Sequence, residues 1–148
     1  MSNKAAERVL EALLFTSSEP LSIKDLEKNF GKDRVFDTPT SENAMTGMAI
    51  GLAISGYKPV LTHQRLDFSL LSIDQIVNAA AKWYFMFGGQ QSVPLVIRMI
   101  IGQGWGQGPT HSQALQSWFA HIPNLKIVMM NLHFRNNFPI ADLKYPTL

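Results

Sequence analysis

The 148-residue sequence contains no cysteine. That excludes a disulfide framework, a thiolate metal site and a cysteine nucleophile. No apolar run reaches the length that spans a bilayer. The opening residues, with Lys4, Glu7 and Arg8 ahead of a short amphipathic segment, do not read as a signal peptide. The net charge is +2 and the basic residues are scattered, so no stripe suited to nucleic acid or a membrane surface is present. These absences lead to the expectation of a cytoplasmic chain that binds neither nucleic acid nor membrane. The most informative scarcity is of charge. Met1–Asp37 hold 13 charged residues in 37, whereas Thr38–Val128 hold 8 in 91. A stretch so poor in charge either forms a deep core or buries its outside against other chains. The same change of composition marks a boundary near Asp37.

What is present alternates between strand and helix signals. At the start, NKAAERVLEALLF has apolar residues at helical spacing, and LSIKDLEKNF announces a second helix in which Ser22 can cap and Asp25 lies three residues on. RVFD (Arg34–Asp37) is a short strand candidate. ENAMTGMAIGLAISG then reads as a helix capped by Ser41 and ended by Gly56. KPVLTH is the next strand candidate, and DFSLLSIDQIVNAAAKWYFMF a long helix capped by Asp67 or Ser69. VPLVIRMIIG has the near-continuous apolar character of a strand buried on both faces. A glycine-rich loop, GQGWGQGPT, leads to the helix HSQALQSWFAHI and to a last strand candidate, LKIVMM. The tail NLHFRNNFPIADLKYPTL has no clear period. Strands alternating with helices imply parallel pairing through right-handed crossovers, hence a three-layer α/β sheet. Ligands of such sheets sit at the carboxyl ends of the strands. This places two loops in view, TPTSE and GQGWGQGPTH.

Glu42 is the one charge on its helix. A carboxylate in a first turn complements the helix dipole, and that alone would explain it. His111 at the start of HSQ could likewise be a histidine that only caps backbone groups. The loop glycines, Gly102, Gly104, Gly106 and Gly108, do not have dinucleotide-binding spacing and give at most a weak phosphate-cradle signal.

The blocks FGKDRVFDTPTSENAMTGMAIGLAISGYKPV, DFSLLSIDQIVNAAAKWYFMFGGQ, VPLVIR and HSQALQSWFAHIPNLKIV resemble, in the same order and spacing, the β subunit of the thiamine-diphosphate-dependent 2-oxo acid dehydrogenases. The matching part is that family's transketolase-like pyrimidine-binding domain, and the resemblance runs from about Phe30 to Val128. It implies that Glu42, in DTPTSE, hydrogen-bonds the aminopyrimidine ring of thiamine diphosphate. A carboxyl group there favours the imino tautomer, whose nitrogen takes the proton from the thiazolium carbon, the future nucleophile. It implies that His111 lies near the reacting thiazolium and the substrate, and that Leu66 and Phe68 flank the pyrimidine. Leu66 stands where the family often has an aromatic residue, and Trp105 where it has small ones. The resemblance further implies a partner α subunit that holds the diphosphate and its Mg²⁺. The sequence agrees with that division, having few carboxylates in its middle stretch for a hard cation.

AERVLEALLFTSSEPLSIKDL, within residues 1–26, resembles the opening of segregation and condensation protein B. The expected organisation is therefore a helix pair over residues 1–29, a truncated pyrimidine-binding α/β domain over 30–130 and an irregular tail over 131–148. The expected protein is a homo- or hetero-oligomeric β-subunit fragment, inactive alone. The alternative is a non-enzymatic interaction module, or an inactive fusion or truncated product.

Overall fold

A computed structural model describes residues 22–102 and 107–129. The first expected helix, most of the segment resembling the segregation protein, Trp105, His133 and the tail lie outside the described residues. The chain divides into two compact units, one holding the residues up to Asp37 with those from Val128 onward, the other Thr38–Ile127. In the first unit, α1 (Ile23–Phe30) opens with the expected reciprocal cap. Ser22 Oγ accepts the Asp25 amide at 3.2 Å, and Asp25 Oδ2 accepts the Ser22 amide at 3.1 Å. The Ser22 hydroxyl also donates to Asp25 Oδ2 at 2.6 Å, and this bond, followed by that of the Ser22 amide, holds the Asp25 carboxyl below its ordinary pKa.

In the second unit, α2 (Glu42–Ile54) turns Thr46, Ala49, Ile50 and Ala53 inward at helical spacing. Its small side chains allow a close approach to β1 (Val60–His63) and to the helical run that follows. A Cβ on Gly47 would come within 3.5 Å of Gln75 Oε1. Ser41 occupies the N-cap and its carbonyl accepts the Met45 amide at 2.8 Å, but its hydroxyl makes no capping bond. The far end closes on Gly56, at φ 95°. Gly56 N–H reaches Ala53 O and Tyr57 N–H reaches Leu52 O, the paired bonds of a Schellman stop.

The crossover from β1 runs helically from α3 (Leu66–Ser69) through a 3₁₀ turn at Leu70–Ser72 and a π turn at Gln75–Ala80 to α4 (Ala81–Met86). The long helix expected here is thus present with its pitch altered twice. Two fully buried hydroxyls accompany the 3₁₀ turn: Ser69 Oγ donates to Leu66 O at 2.7 Å and Ser72 Oγ to Ser69 O at 3.0 Å. The N-cap is Arg65, not Asp67 or Ser69, because those two side chains are engaged elsewhere. Strand β2 (Val96–Met99) then pairs parallel to β1, with Val60 opposite Val96 and His63 opposite Met99. The parallel α/β expectation holds for this unit.

Three expectations are corrected. Among the described residues the sheet has two strands. Arg34–Asp37 instead forms the end of a turn and an irregular stretch, and Leu125–Met129 is irregular as well. Apolar, β-branched sequence becomes strand only where a neighbour supplies the ladder, and neither segment joins that of β1 and β2. β2 is also not buried on both faces: Ile97 and Met99 turn toward the core while Val96 and Arg98 are exposed. The core under that inner face consists of Leu66, Ile76 and Phe119, flanked by Ile97, Met99, Ile101, Leu115 and Leu125. Lastly, the helix expected over HSQALQSWFAHI is confined to α5 (Gln116–Ala120), preceded by a 3₁₀ turn at Pro109–His111. The start is delayed because the Gln113 amide and side chain bond to Asp67.

Candidate functional site

The carboxyl end of β1 collects the chemistry-bearing side chains. His63, the last strand residue, is 2 % exposed, and Thr46 from α2 is wholly buried against it. Thr46 Oγ1 donates its proton to the Glu42 carbonyl at 2.8 Å, one turn back along α2. The hydroxyl oxygen is therefore the acceptor in the 3.4 Å contact with His63 Nε2, which assigns the ring proton to Nε2. Burial pushes the His63 imidazole below its ordinary pKa, and the charge of Glu42 pulls in the opposite direction. Glu42 itself begins α2 partly exposed, and its backbone carbonyl is tied through Thr46 to the strand end.

Immediately after β1 the chain turns into α3. The Leu66 amide donates to Ile100 O at 2.9 Å, which fixes the start of α3 against the end of β2. Leu66 is 2 % exposed and packs with Ile76 and Phe119, so its side chain belongs to the core. Phe68, half-buried, meets the His111 ring edge-on, with centroids 5.2 Å apart and planes at 85°. His111 ends the 3₁₀ turn, its amide bonding to Gly108 O at 3.3 Å and its Nδ1 lying 3.0 Å from Thr110 Oγ1. Asp67, 8 % exposed, accepts the Gln113 side-chain amide at 2.7 Å and the Gln113 backbone N–H at 3.3 Å on one oxygen. His121 takes the C-cap position of α5 and is exposed.

The structure thus joins Phe68 directly to His111, and Glu42 to the strand end through Thr46 and His63. Sequence reasoning overlooked His63, Thr46, Asp67 and Gln113. The available signal for His63 was its place at the carboxyl end of a strand. For Asp67 it was one of only eight charges in the charge-poor stretch, directly beside the expected ring contacts.

A parallel β–α–β unit whose polar and aromatic groups gather at the carboxyl end of a strand defines a ligand-binding α/β domain. The particular family follows from comparison. The description "Transketolase, pyrimidine binding domain" matches residues 11–131, and the chain belongs to that family. The match begins well before Phe30. The β subunits of the pyruvate dehydrogenase E1 component from Bos taurus and Homo sapiens are 43% and 42% identical to it over 131 residues. Those alignments cover 82% of this chain and 36% of each relative. The Oryza sativa subsp. japonica β-2 subunit is 43% identical over 106 residues, 72% of this chain and 28% of its own length. The chain therefore spans about a third of these curated relatives. The resemblance to β subunits of thiamine-diphosphate-dependent 2-oxo acid dehydrogenases holds. All three relatives are named as mitochondrial. That overturns the expectation of a cytoplasmic protein, which had rested only on features the sequence lacks.

Proposed function

We propose that this chain provides the pyrimidine side of a thiamine diphosphate site in a 2-oxo acid dehydrogenase, completed by an α subunit. The observation that carries the reading is Glu42. It is a partly exposed residue at the helix start, and its backbone is anchored through Thr46 to the carboxyl end of a parallel strand. The donor set suits an aminopyrimidine: a carboxyl group for a ring nitrogen, with the half-buried ring of Phe68 on the segment after the same strand. When bound, thiamine diphosphate would supply an acidic thiazolium carbon as the nucleophile toward a 2-oxo acid. Glu42 would share a proton with the ring nitrogen, which needs a carboxyl group and not merely an acceptor. His111 would donate a hydrogen bond to the substrate carboxylate.

The diphosphate and Mg²⁺ belong, in this reading, to the α subunit. Between Thr38 and Val128 the carboxylates are Glu42, Asp67 and Asp74. Asp67 is held by Gln113, and Asp74 accepts Asn78 Nδ2 at 2.7 Å, so neither is directed at a hard cation. The test is Glu42→Gln in a complex reconstituted with a 2-oxo acid dehydrogenase α subunit. Thiamine diphosphate should still bind, the far-UV spectrum should not change, and exchange of the thiazolium C2 proton should slow by at least 100-fold. Exchange at the wild-type rate in the variant would refute the assignment of Glu42.

A further inference from the structure

Three contacts join the segment after β1 to the segment that carries His111. Arg65 Nη2 donates to Gln107 Oε1 at 2.9 Å, on the surface. Phe68 meets the His111 ring. Between them, Asp67 receives both Gln113 donors on a single oxygen. The middle contact is part-buried and differs from the others in resting on a carboxylate whose residue is only 8 % exposed, and a carboxylate withdrawn from water needs its lost hydrogen bonds replaced. Gln113 supplies both replacements. Because one of them is the backbone N–H, the bond fixes the main chain two residues beyond His111. On the other side, the His111 amide is held by Gly108 O. The histidine is thereby constrained from before and after.

We propose that Asp67 is a positioning residue, whose carboxylate acts through Gln113 to set His111 against Phe68 at the carboxyl end of β1. The catalytic consequence rests on the reading of the site given above, while the positioning itself rests on the bonds alone. Asp67→Ala removes the acceptor and leaves two Gln113 donors unpaired. Asp67→Asn keeps an oxygen able to accept both. Gln113→Glu sets two carboxyl groups face to face, and adding Asp67→Asn to it restores a donor–acceptor pair.

The test is the ring-current displacement of the His111 imidazole protons in the full chain, its signal assigned by loss in His111→Gln and its size by Phe68→Leu. The displacement should fall to half or less in Asp67→Ala and in Gln113→Glu. It should persist in Asp67→Asn and return in the Asp67→Asn/Gln113→Glu pair. Three results would each overturn the proposal: a full displacement in folded Asp67→Ala, a loss in Asp67→Asn as large as in Asp67→Ala, or no recovery in the pair. If Asp67→Ala does not fold, Asp67→Asn and the pair decide. Thiamine diphosphate binding in the presence of an α subunit is read separately. Failure there with the displacements intact rejects the cofactor site and leaves the positioning standing.

Discussion

His63 shows how a residue without a motif acquires consequences from its place. It is the last residue of β1, sealed beneath Thr46, and within the electrostatic reach of Glu42. In the folded chain burial holds its pKa below 6.5, whereas in the unfolded chain it returns to about that value. As pH falls through 6.5 the unfolded state therefore takes up a proton that the folded state resists, and stability declines with it. The contribution is fully present above that range. Because Glu42 opposes the depression, Glu42→Gln should lower the His63 pKa further and extend the decline to lower pH. A histidine titration by NMR on both proteins checks this. An unchanged or raised His63 pKa in the variant would show that the two groups do not communicate. The local site was legible in part for a related reason. Glu42 and His111 stand in blocks with recognisable neighbours, but the hydrogen bonds of Thr46, His63, Asp67 and Gln113 join residues 17 and 46 positions apart. No local pattern encodes such pairings.

At the scale of elements, local chemistry and tertiary context divide the outcome. Helix α2 was readable because its start and stop signals are local: Ser41 stands at the N-cap, and Gly56 ends it where the turn requires φ 95°. A Cβ at Gly56 would meet nothing within 4 Å, so Gly56→Ala tests backbone conformation alone. It should cost about 1–2 kcal/mol in urea unfolding. Gly51, inside the same helix and exposed, also has open space around a new Cβ but no positive φ. Gly51→Ala should therefore stabilise by about 0.5–1 kcal/mol. Two glycine-to-alanine changes of the same sign would contradict this account of the helix end. β1 and β2 were equally readable, since each finds its ladder partner in the other across one crossover. Arg34–Asp37 and Leu125–Met129 were misread because strand formation needs a neighbour that residue types cannot announce. The 3₁₀ and π turns of the crossover were missed for a similar reason. They depend on buried serine hydroxyls and on packing against α2, not on the apolar period, which a regular helix would share.

The described residues expose more apolar surface than a solitary chain keeps in water. Phe85 is 81% exposed, and Tyr57, Leu71, Val96 and Trp118 are each more than half exposed. The charge-poor composition of Thr38–Val128 has its counterpart here, since few charged side chains are available to cover that surface. Surface of this kind is normally buried against another molecule, and for the purified chain the available molecule is a second copy. Sedimentation should therefore show a mass that rises with concentration, and Phe85→Lys should lower it by placing a charge at the most exposed large apolar side chain among the described residues. The same surface bears on ligand affinity. In the proposed site, pyrimidine contacts from this chain would have to offset the entropy of fixing a charged cofactor whose diphosphate remains in water. Titration calorimetry of the purified chain with thiamine diphosphate and Mg²⁺ should thus give weak or undetectable binding. Adding an α subunit should tighten it by covering the apolar surface and supplying the diphosphate contacts. A micromolar Kd for the chain alone, about −8 kcal/mol, would mean that Glu42, Phe68 and their supports suffice without a partner, and would overturn the division of the site between two subunits.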